Sequence, residues 1–209
     1  MLKLDGIGYD YPQMSIDVSF ELAMGDALAL MGPSGCGKTT TLDLIAGFLS
    51  PRRGDILFHR KSLLALKPDG RPLSYLFQQH NLFPHLSAWQ NIALGIHPGL
   101  KLSNAEKSRV DHSLETVGLT GLGDRKPAQL SGGQQQRVGL ARGLVRSLVC
   151  DKPILLLDEP FSALDLDRRQ QIIALINQLR SAHGLTLIIS THQADDAKAL
   201  NAGIYRFSD

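Results

Sequence analysis

The chain has 209 residues, of which 43% are hydrophobic and 20% are charged, and its formal net charge is +2. A chain of this length can build a core without disulfides, and its balanced charge gives no reason to expect a nucleic-acid partner. No stretch approaches the roughly 18 consecutive apolar residues of a membrane-spanning helix. The N-terminus lacks the apolar core of a signal peptide, and Cys36 and Cys150 fit a reducing compartment, so we expect a cytosolic protein.

The first 26 residues alternate between apolar and polar side chains, as at Leu2, Leu4, Ile16 and Val18. A period of two predicts antiparallel strands. The apolar run 27–31 that follows predicts a buried strand.

A glycine-rich loop comes directly after that strand and reads G-P-S-G-C-G-K-T, which fits the phosphate-binding pattern G-x-x-x-x-G-K-[ST]. Helical spacing of apolar residues predicts a helix over 38–49, ended by residues 51–54. The alternative is a glycine-rich turn without function, but the position between strand and helix favours a nucleotide site, with Lys38 on the β/γ-phosphates and Thr39 on Mg²⁺. The predicted ATP-binding residues here are Gly32, Pro33, Ser34, Gly35, Cys36, Gly37, Lys38, Thr39 and Thr40.

The middle of the chain reads as strands over 55–59 and 73–77 followed by a mostly helical segment. Ser103 and Glu106 form a capping-box pattern at the start of one of its helices. We predict a single domain in which residues 1–79 and 151–209 form an α/β core with an N-terminal β-subdomain. Residues 80–150 form an inserted helical subdomain.

The run Leu130–Arg137 places Ser131 where it can cap a helix, and Gly132 and Gly133 leave the first N–H groups uncovered. A flexible turn is the alternative interpretation. A second anion site at a helix N-terminus is most simply used by a two-fold dimer, in which it faces the partner's nucleotide. We therefore expect Ser131, Gly132, Gly133 and Gln134 to bind ATP across a dimer interface.

The apolar run 154–157 predicts a buried strand that ends in Asp158 and Glu159. Asp158 can hold Mg²⁺, and Glu159 can act as the general base on the attacking water. A solvated acidic turn is the alternative. A helix over 166–182, a strand over 185–189 and an edge strand over 204–207 complete the predicted elements.

These motifs, in this order, resemble those of the nucleotide-binding subunits of ATP-binding cassette (ABC) transporters over nearly the whole chain. The resemblance implies an α/β fold with a P-loop NTPase (RecA-like) core, an antiparallel N-terminal β-subdomain and an inserted α-helical subdomain. It also implies further site residues: Gln78 contacts Mg²⁺ and water, His192 holds the γ-phosphate and Asp165 acts across the dimer. Tyr11, with Tyr9 as the alternative, stacks on adenine. A surface amide at Gln78 and a purely structural His192 are the plainer interpretations.

The resemblance further implies ATP and Mg²⁺ as cofactors and a homodimer, or a pair with another ABC subunit. It implies integral membrane permease subunits at the cytoplasmic face of the inner membrane, and indirectly a periplasmic solute-binding protein. Residues 81–86 would line the groove that receives the permease, although ordinary loop packing is the alternative. A soluble cassette ATPase and a non-hydrolysing ATP-binding regulator are the rival functions.

The segment 90–102 looks most like the ATPases of thiamine importers, and other small solutes, such as metal ions, oxyanions or polyamines, are the alternative cargoes. Residues 146–152 form a longer link than is usual in the family, so we expect altered local geometry there. Little sequence follows His192, and we expect no regulatory domain.

Overall fold

The computed structural model describes residues 1–12, 14–77, 82–162 and 164–207. Within them lie nine strands and six helices. The strands are β1 Leu2–Tyr11, β2 Met14–Leu22, β3 Ala27–Met31, β4 Arg53–Phe58, β5 Lys61–Ser62, β6 Leu73–Leu76, β7 Ile154–Asp158, β8 Thr186–Thr191 and β9 Gly203–Arg206. The helices are α1 Lys38–Ala46, α2 Ala88–Ala93, α3 Asn104–Thr116, α4 Gly132–Val149, α5 Leu166–His183 and α6 Ala194–Ala199.

The strands form two sheets, which confirms the predicted mixture of antiparallel and parallel pairing. The first has the order β2-β1-β4-β5, and its strands are antiparallel, as the period of two indicates. The second has the order β6-β7-β8-β3-β9 and is parallel throughout. β9 pairs with β3 and lies at the edge, as expected.

The parallel sheet divides the core into two hydrophobic clusters, because alternate side chains of a strand point to opposite faces. On β3, Ala27, Ala29 and Met31 join the cluster that contains apolar residues of α2 to α6. Leu28 and Leu30 join the second cluster, which α1 and the antiparallel sheet complete. Strands buried on both faces require the uninterrupted apolar runs seen in the sequence.

Helix α1 is shorter than predicted: it ends at Ala46, not at residue 49. Gly47 adopts the left-handed conformation with φ 85° and donates its N–H to the carbonyls of Asp43 and Leu44. A glycine in this conformation at the end of a helix satisfies its last carbonyls, so the prediction that residues 51–54 end the helix was wrong.

The link 146–152 continues α4 to Val149 and then turns at Asp151, whose φ is 52°. The Lys152 ammonium donates to the carbonyls of Asp69, at 3.0 Å, and Arg71, at 2.6 Å. These bonds fix the start of β7 relative to the loop before β6.

The order of the parallel sheet places three chain segments side by side. β3, β7 and β8 are neighbours or separated by one strand, and in parallel strands the carboxyl ends meet at one edge. The glycine-rich loop follows β3, Asp158 ends β7 and Glu159 follows it, and His192 follows β8. Among the described residues, no helix is long and apolar enough to cross a membrane.

Candidate functional site

The glycine-rich loop joins β3 to α1 and folds around the Lys38 ammonium. Lys38 is buried, and its Nζ donates to the carbonyl oxygens of Gly32, at 2.9 Å, and Pro33, at 2.7 Å. Gly37 has φ 105°, and a Cβ at this position would lie 2.6 Å from Ile16 Cδ1. Both the backbone conformation and the contact therefore require glycine at position 37.

The Thr39 hydroxyl lies directly against the Asp158 carboxylate, at the carboxyl end of β7. Its Oγ1 donates to Asp158 Oδ2 at 3.0 Å and lies 3.2 Å from Oδ1. Asp158 is only 4% exposed. A hydroxyl and a carboxylate are the hard oxygen donors that Mg²⁺ prefers.

In the described ranges, no group of three or more His, Cys, Asp and Glu residues could hold a metal ion. Mg²⁺ commonly takes one or two protein oxygens and completes its coordination with substrate phosphates and water. The Thr39–Asp158 pair therefore fits Mg²⁺ that arrives with a nucleotide.

Ser190 on β8 holds the Asp158–Glu159 dipeptide in place. Its Oγ donates to Asp158 Oδ1 at 2.5 Å and accepts the Glu159 N–H at 2.8 Å. Glu159 has a positive φ of 42°, which is uncommon for a residue other than glycine. The sequence analysis gave Ser190 no role, although a polar pair, Ser190 and Thr191, directly follows the apolar run 187–189 of β8.

His192 follows the last residue of β8 and lines the same surface depression as Glu159 and Ser190. The structure thus brings Glu159 and His192 to one place. Ser190 connects this place to the Thr39–Asp158 pair through its bond to Asp158. Acidic and imidazole groups beside a phosphate-binding loop can orient and deprotonate a water molecule.

Tyr11, at the end of β1, lies next to the start of α1. Its phenol oxygen is 3.1 Å from Thr40 Oγ1, and the Tyr9 ring contacts the Tyr11 ring edge-to-face with centroids 5.0 Å apart. Tyr11 is 42% exposed, so its ring is accessible for stacking beside the loop.

Residues 131–134, called the Ser131 segment, form a complete capping box at the N-terminus of α4. Ser131 Oγ accepts the Gln134 N–H at 3.3 Å, and Gln134 Oε1 accepts the Ser131 N–H at 2.9 Å. A Cβ on Gly132 would meet no heavy atom within 4 Å, so the helix start is open to solvent on that side. No hydrogen bond or ion pair between described residues joins this segment to residues 32–39.

Asp165 caps α5: its Oδ1 accepts the Arg168 N–H at 2.9 Å, and its Oδ2 lies 3.2 Å from Arg168 Nε. Asp165, like Ser131, is exposed. Thr39, Asp158, Glu159 and His192, in contrast, are connected through Ser190 and the surface depression. Gln78, the remaining predicted site residue, lies outside the described residues.

Comparison with known proteins identifies the family to which the chain belongs. Residues 16–162, which run from the antiparallel sheet through the phosphate loop, the Ser131 segment and Glu159, match the family described as ABC transporter. The chain belongs to the ABC transporter family. As an ABC protein of this kind, it is an ATP-binding subunit whose ATPase activity is coupled to transport.

The ABC subunit has relatives over nearly its whole length. It is 48% identical to the thiamine import ATP-binding protein ThiQ of Vibrio cholerae, over 98% of this chain and 84% of that protein. It is 48% identical to ThiQ of Aliivibrio fischeri, over 99% of this chain and 86% of that protein. It is 49% identical to ThiQ of Yersinia pestis, over 94% of this chain and 82% of that protein.

The ABC fold is confirmed by solved structures. A dimeric post-hydrolysis structure of the ATP-binding cassette MJ0796 bound to ADP and Pi superimposes with a TM-score of 0.82 at 30% identity, over 100% of this chain and 94% of that chain. A dimeric structure of MJ0796, a bacterial ABC transporter cassette, superimposes with a TM-score of 0.81 at 31% identity, over 99% of this chain and 94% of that chain.

Proposed function

We propose that this chain is the ATPase subunit of a bacterial thiamine importer. The observation that carries the proposal is the near-full-length identity of 48% to proteins named for thiamine import. The chemistry of the site supports the ATPase part of the proposal independently of cargo. The cargo itself rests on the relatives, because an ATPase subunit does not contact the transported solute.

In this proposal Lys38 binds the β- and γ-phosphates of ATP. Its ammonium already donates to two carbonyl oxygens of the loop. Phosphate oxygens can therefore take the place of these acceptors when ATP binds. The loop from Gly32 to Thr40 surrounds the phosphates, to which its backbone N–H groups, Pro33 excepted, donate at the start of α1. Tyr11 stacks on the adenine ring. Thr39, Asp158 and Gln78 hold Mg²⁺, which neutralises charge on the transferred phosphoryl group.

Glu159 accepts the proton of the attacking water, and His192 contacts the γ-phosphate and helps to orient Glu159. Ser190 fixes the backbone from which the Glu159 side chain extends, because its Oγ joins the Glu159 N–H to the aspartate beside it. A general base of this kind contributes on the order of 10²–10⁴-fold to the rate.

The working unit in this proposal is a homodimer with two ATP molecules at its interface. Ser131, Gly132, Gly133 and Gln134 of one copy face the γ-phosphate bound to the other copy, and Asp165 lies in the same interface. The open N-terminus of α4 supports this arrangement, as does the dimeric state in which MJ0796 was solved.

A groove near the helical segment is the proposed docking site for a permease helix. Its lining combines aromatic side chains, including Phe48, Phe77 and Phe83, with the cations Arg142 and Arg146. Through this contact the subunit sits at the cytoplasmic face of the membrane, and a periplasmic solute-binding protein acts on the other side. In this proposal, residues 80–150 form the helical subdomain that links the groove to the Ser131 segment.

The test is uptake of labelled thiamine by cells whose own importer ATPase has been removed and replaced with this chain and its permease. We expect the native chain to restore uptake and Glu159→Gln to abolish it, while the purified variant still binds ATP and stays dimeric in its presence. Labelled metal ions, oxyanions and polyamines are the competing cargoes.

Restored uptake of one of those solutes instead of thiamine would contradict the proposal that thiamine is the cargo. Normal turnover of Glu159→Gln would contradict the assignment of the base.

A further inference from the structure

A buried carboxylate lies directly behind His192. Asp196, in α6, is 2% exposed, and its Oδ2 accepts the Thr191 hydroxyl at 2.6 Å. Its Oδ1 accepts Arg169 Nε, in α5, at 2.7 Å, and lies 2.5 Å from the second guanidinium nitrogen. A buried carboxylate requires such partners, because an unpaired charge away from water is strongly unfavourable.

The same network reaches the residues on both sides of His192. The Gln193 N–H donates to Thr191 Oγ1 at 3.1 Å, and Arg169 also donates to Gln193 Oε1. Thr191, before the histidine, and Gln193, after it, are therefore both fixed to the Arg169–Asp196 ion pair. His192 itself is exposed at the tip of this turn.

We propose that Asp196, together with Arg169, is a positioning residue for ATP hydrolysis: it holds the Thr191–Gln193 turn so that the His192 imidazole reaches the γ-phosphate. This inference rests on the role proposed above for His192. The short buried bond between the Thr191 hydroxyl and Asp196 holds the residue before the histidine, and the bond from Arg169 to Gln193 holds the residue after it. Both limit where the ring can lie. A displacement of about 1 Å in such a group can lower a rate by on the order of 100-fold.

The simpler interpretation is that the ion pair only joins α5 to α6. The structure offers a matched control, because two other bonds join the same region without touching the turn. Arg180 donates to the Leu200 carbonyl at 2.7 Å, and Asn177 donates to the Ala199 carbonyl at 2.9 Å. Arg180→Met therefore weakens the packing of α6 and leaves Thr191 and Gln193 in place.

The experiment is a double-mutant cycle on the full-length chain, with kcat and KM for ATP measured with radiolabelled nucleotide, and melting temperature measured alongside. The variants are Asp196→Asn, His192→Ala, their combination and Arg180→Met. We expect Asp196→Asn to lower kcat by about 10-fold with little change in KM, and to have no further effect once His192 is removed. Arg180→Met lowers the melting temperature and leaves kcat close to that of the native chain.

Equal loss of kcat from Asp196→Asn in the presence and in the absence of His192 would overturn the inference, as would an unchanged kcat in Asp196→Asn. Full activity of His192→Ala would instead refute the role proposed for His192, and the inference with it. Should Asp196→Asn not fold, Thr191→Val gives a second test: it removes the hydroxyl that joins Asp196 to the Gln193 N–H, and its loss of kcat must show the same dependence on His192.

Discussion

Ser190 connects the Asp158 carboxylate to the Glu159 backbone at the centre of the site. It orients Asp158 through one hydrogen bond and fixes the Glu159 backbone through another, at a residue whose φ is positive. Ser190→Ala removes both bonds and leaves a buried carboxylate oxygen without that donor. We expect a loss of stability of about 1–2 kcal/mol and a decrease in kcat of about 10-fold, measured by thermal unfolding and by phosphate release.

Ser74 is the matched control for this prediction. It is also a buried serine on a strand of the parallel sheet, but its hydroxyl has no hydrogen-bond partner among the described residues. Removing an unpaired buried hydroxyl costs little, so Ser74→Ala should unfold and turn over like the native protein. Equal turnover of the two alanine variants would show that Ser190 does not position the carboxylates.

At the scale of elements, α1 carries the phosphate loop at its start and is held at its end by Arg71. Arg71 is 3% exposed, and one of its guanidinium nitrogens donates to the Leu44 carbonyl at 2.7 Å and the Ile45 carbonyl at 2.8 Å. Burial lowers the pKa of Arg71, yet an arginine keeps its charge at neutral pH, and a cation is favoured at a helix C-terminus.

Arg71→Met leaves these carbonyls buried without their donor. We expect a loss of about 3 kcal/mol of unfolding free energy, which lowers the melting temperature by on the order of 6–12 °C for a chain of this size. The control is Arg52→Met, which removes an ion pair of the exposed Arg52 with Asp10 and should leave the melting temperature nearly unchanged. Similar melting temperatures for the two variants would show that Arg71 does not stabilise the end of α1.

The elements that sequence patterns predicted are those with a strong local signal. β3, β7 and β8 each contain a run of three to five apolar residues, and the predicted capping box at Ser103 and helix cap at Ser131 were confirmed. The six-residue helices α2 and α6 are too short for a periodic pattern, although Ser87 and Gln90 at the start of α2 form a third capping box that could have indicated it.

The residues around the site were harder to predict than its motifs. Ser190 and Asp158 are 32 positions apart, and Arg169 and Asp196 are 27 apart, so no local pattern pairs them. The early end of α1 depends in part on Gly47, whose Cβ-free backbone also leaves room for the Arg71 guanidinium. Contacts of this kind follow from the strand order, which a single sequence does not specify.

At the scale of the whole molecule, the described chain separates the two halves of the proposed ATP site. The phosphate loop, Asp158, Glu159 and His192 lie at one edge of the parallel sheet, whereas Ser131 begins a helix that makes no hydrogen bond to the loop within the described residues. In the proposed dimer, a second copy related by a two-fold axis would supply the missing half to each site.

Complementation between two inactive variants tests this arrangement most directly. Lys38→Met removes the phosphate-binding cation but keeps the Ser131 segment, and Ser131→Arg does the reverse. Each variant alone should be inactive, and an equal mixture should regain about a quarter of the native ATPase rate, because random pairing leaves one intact composite site in half of the dimers. A mixture as inactive as its components, or a Ser131→Arg protein that hydrolyses ATP at the native rate as a monomer, would contradict the account.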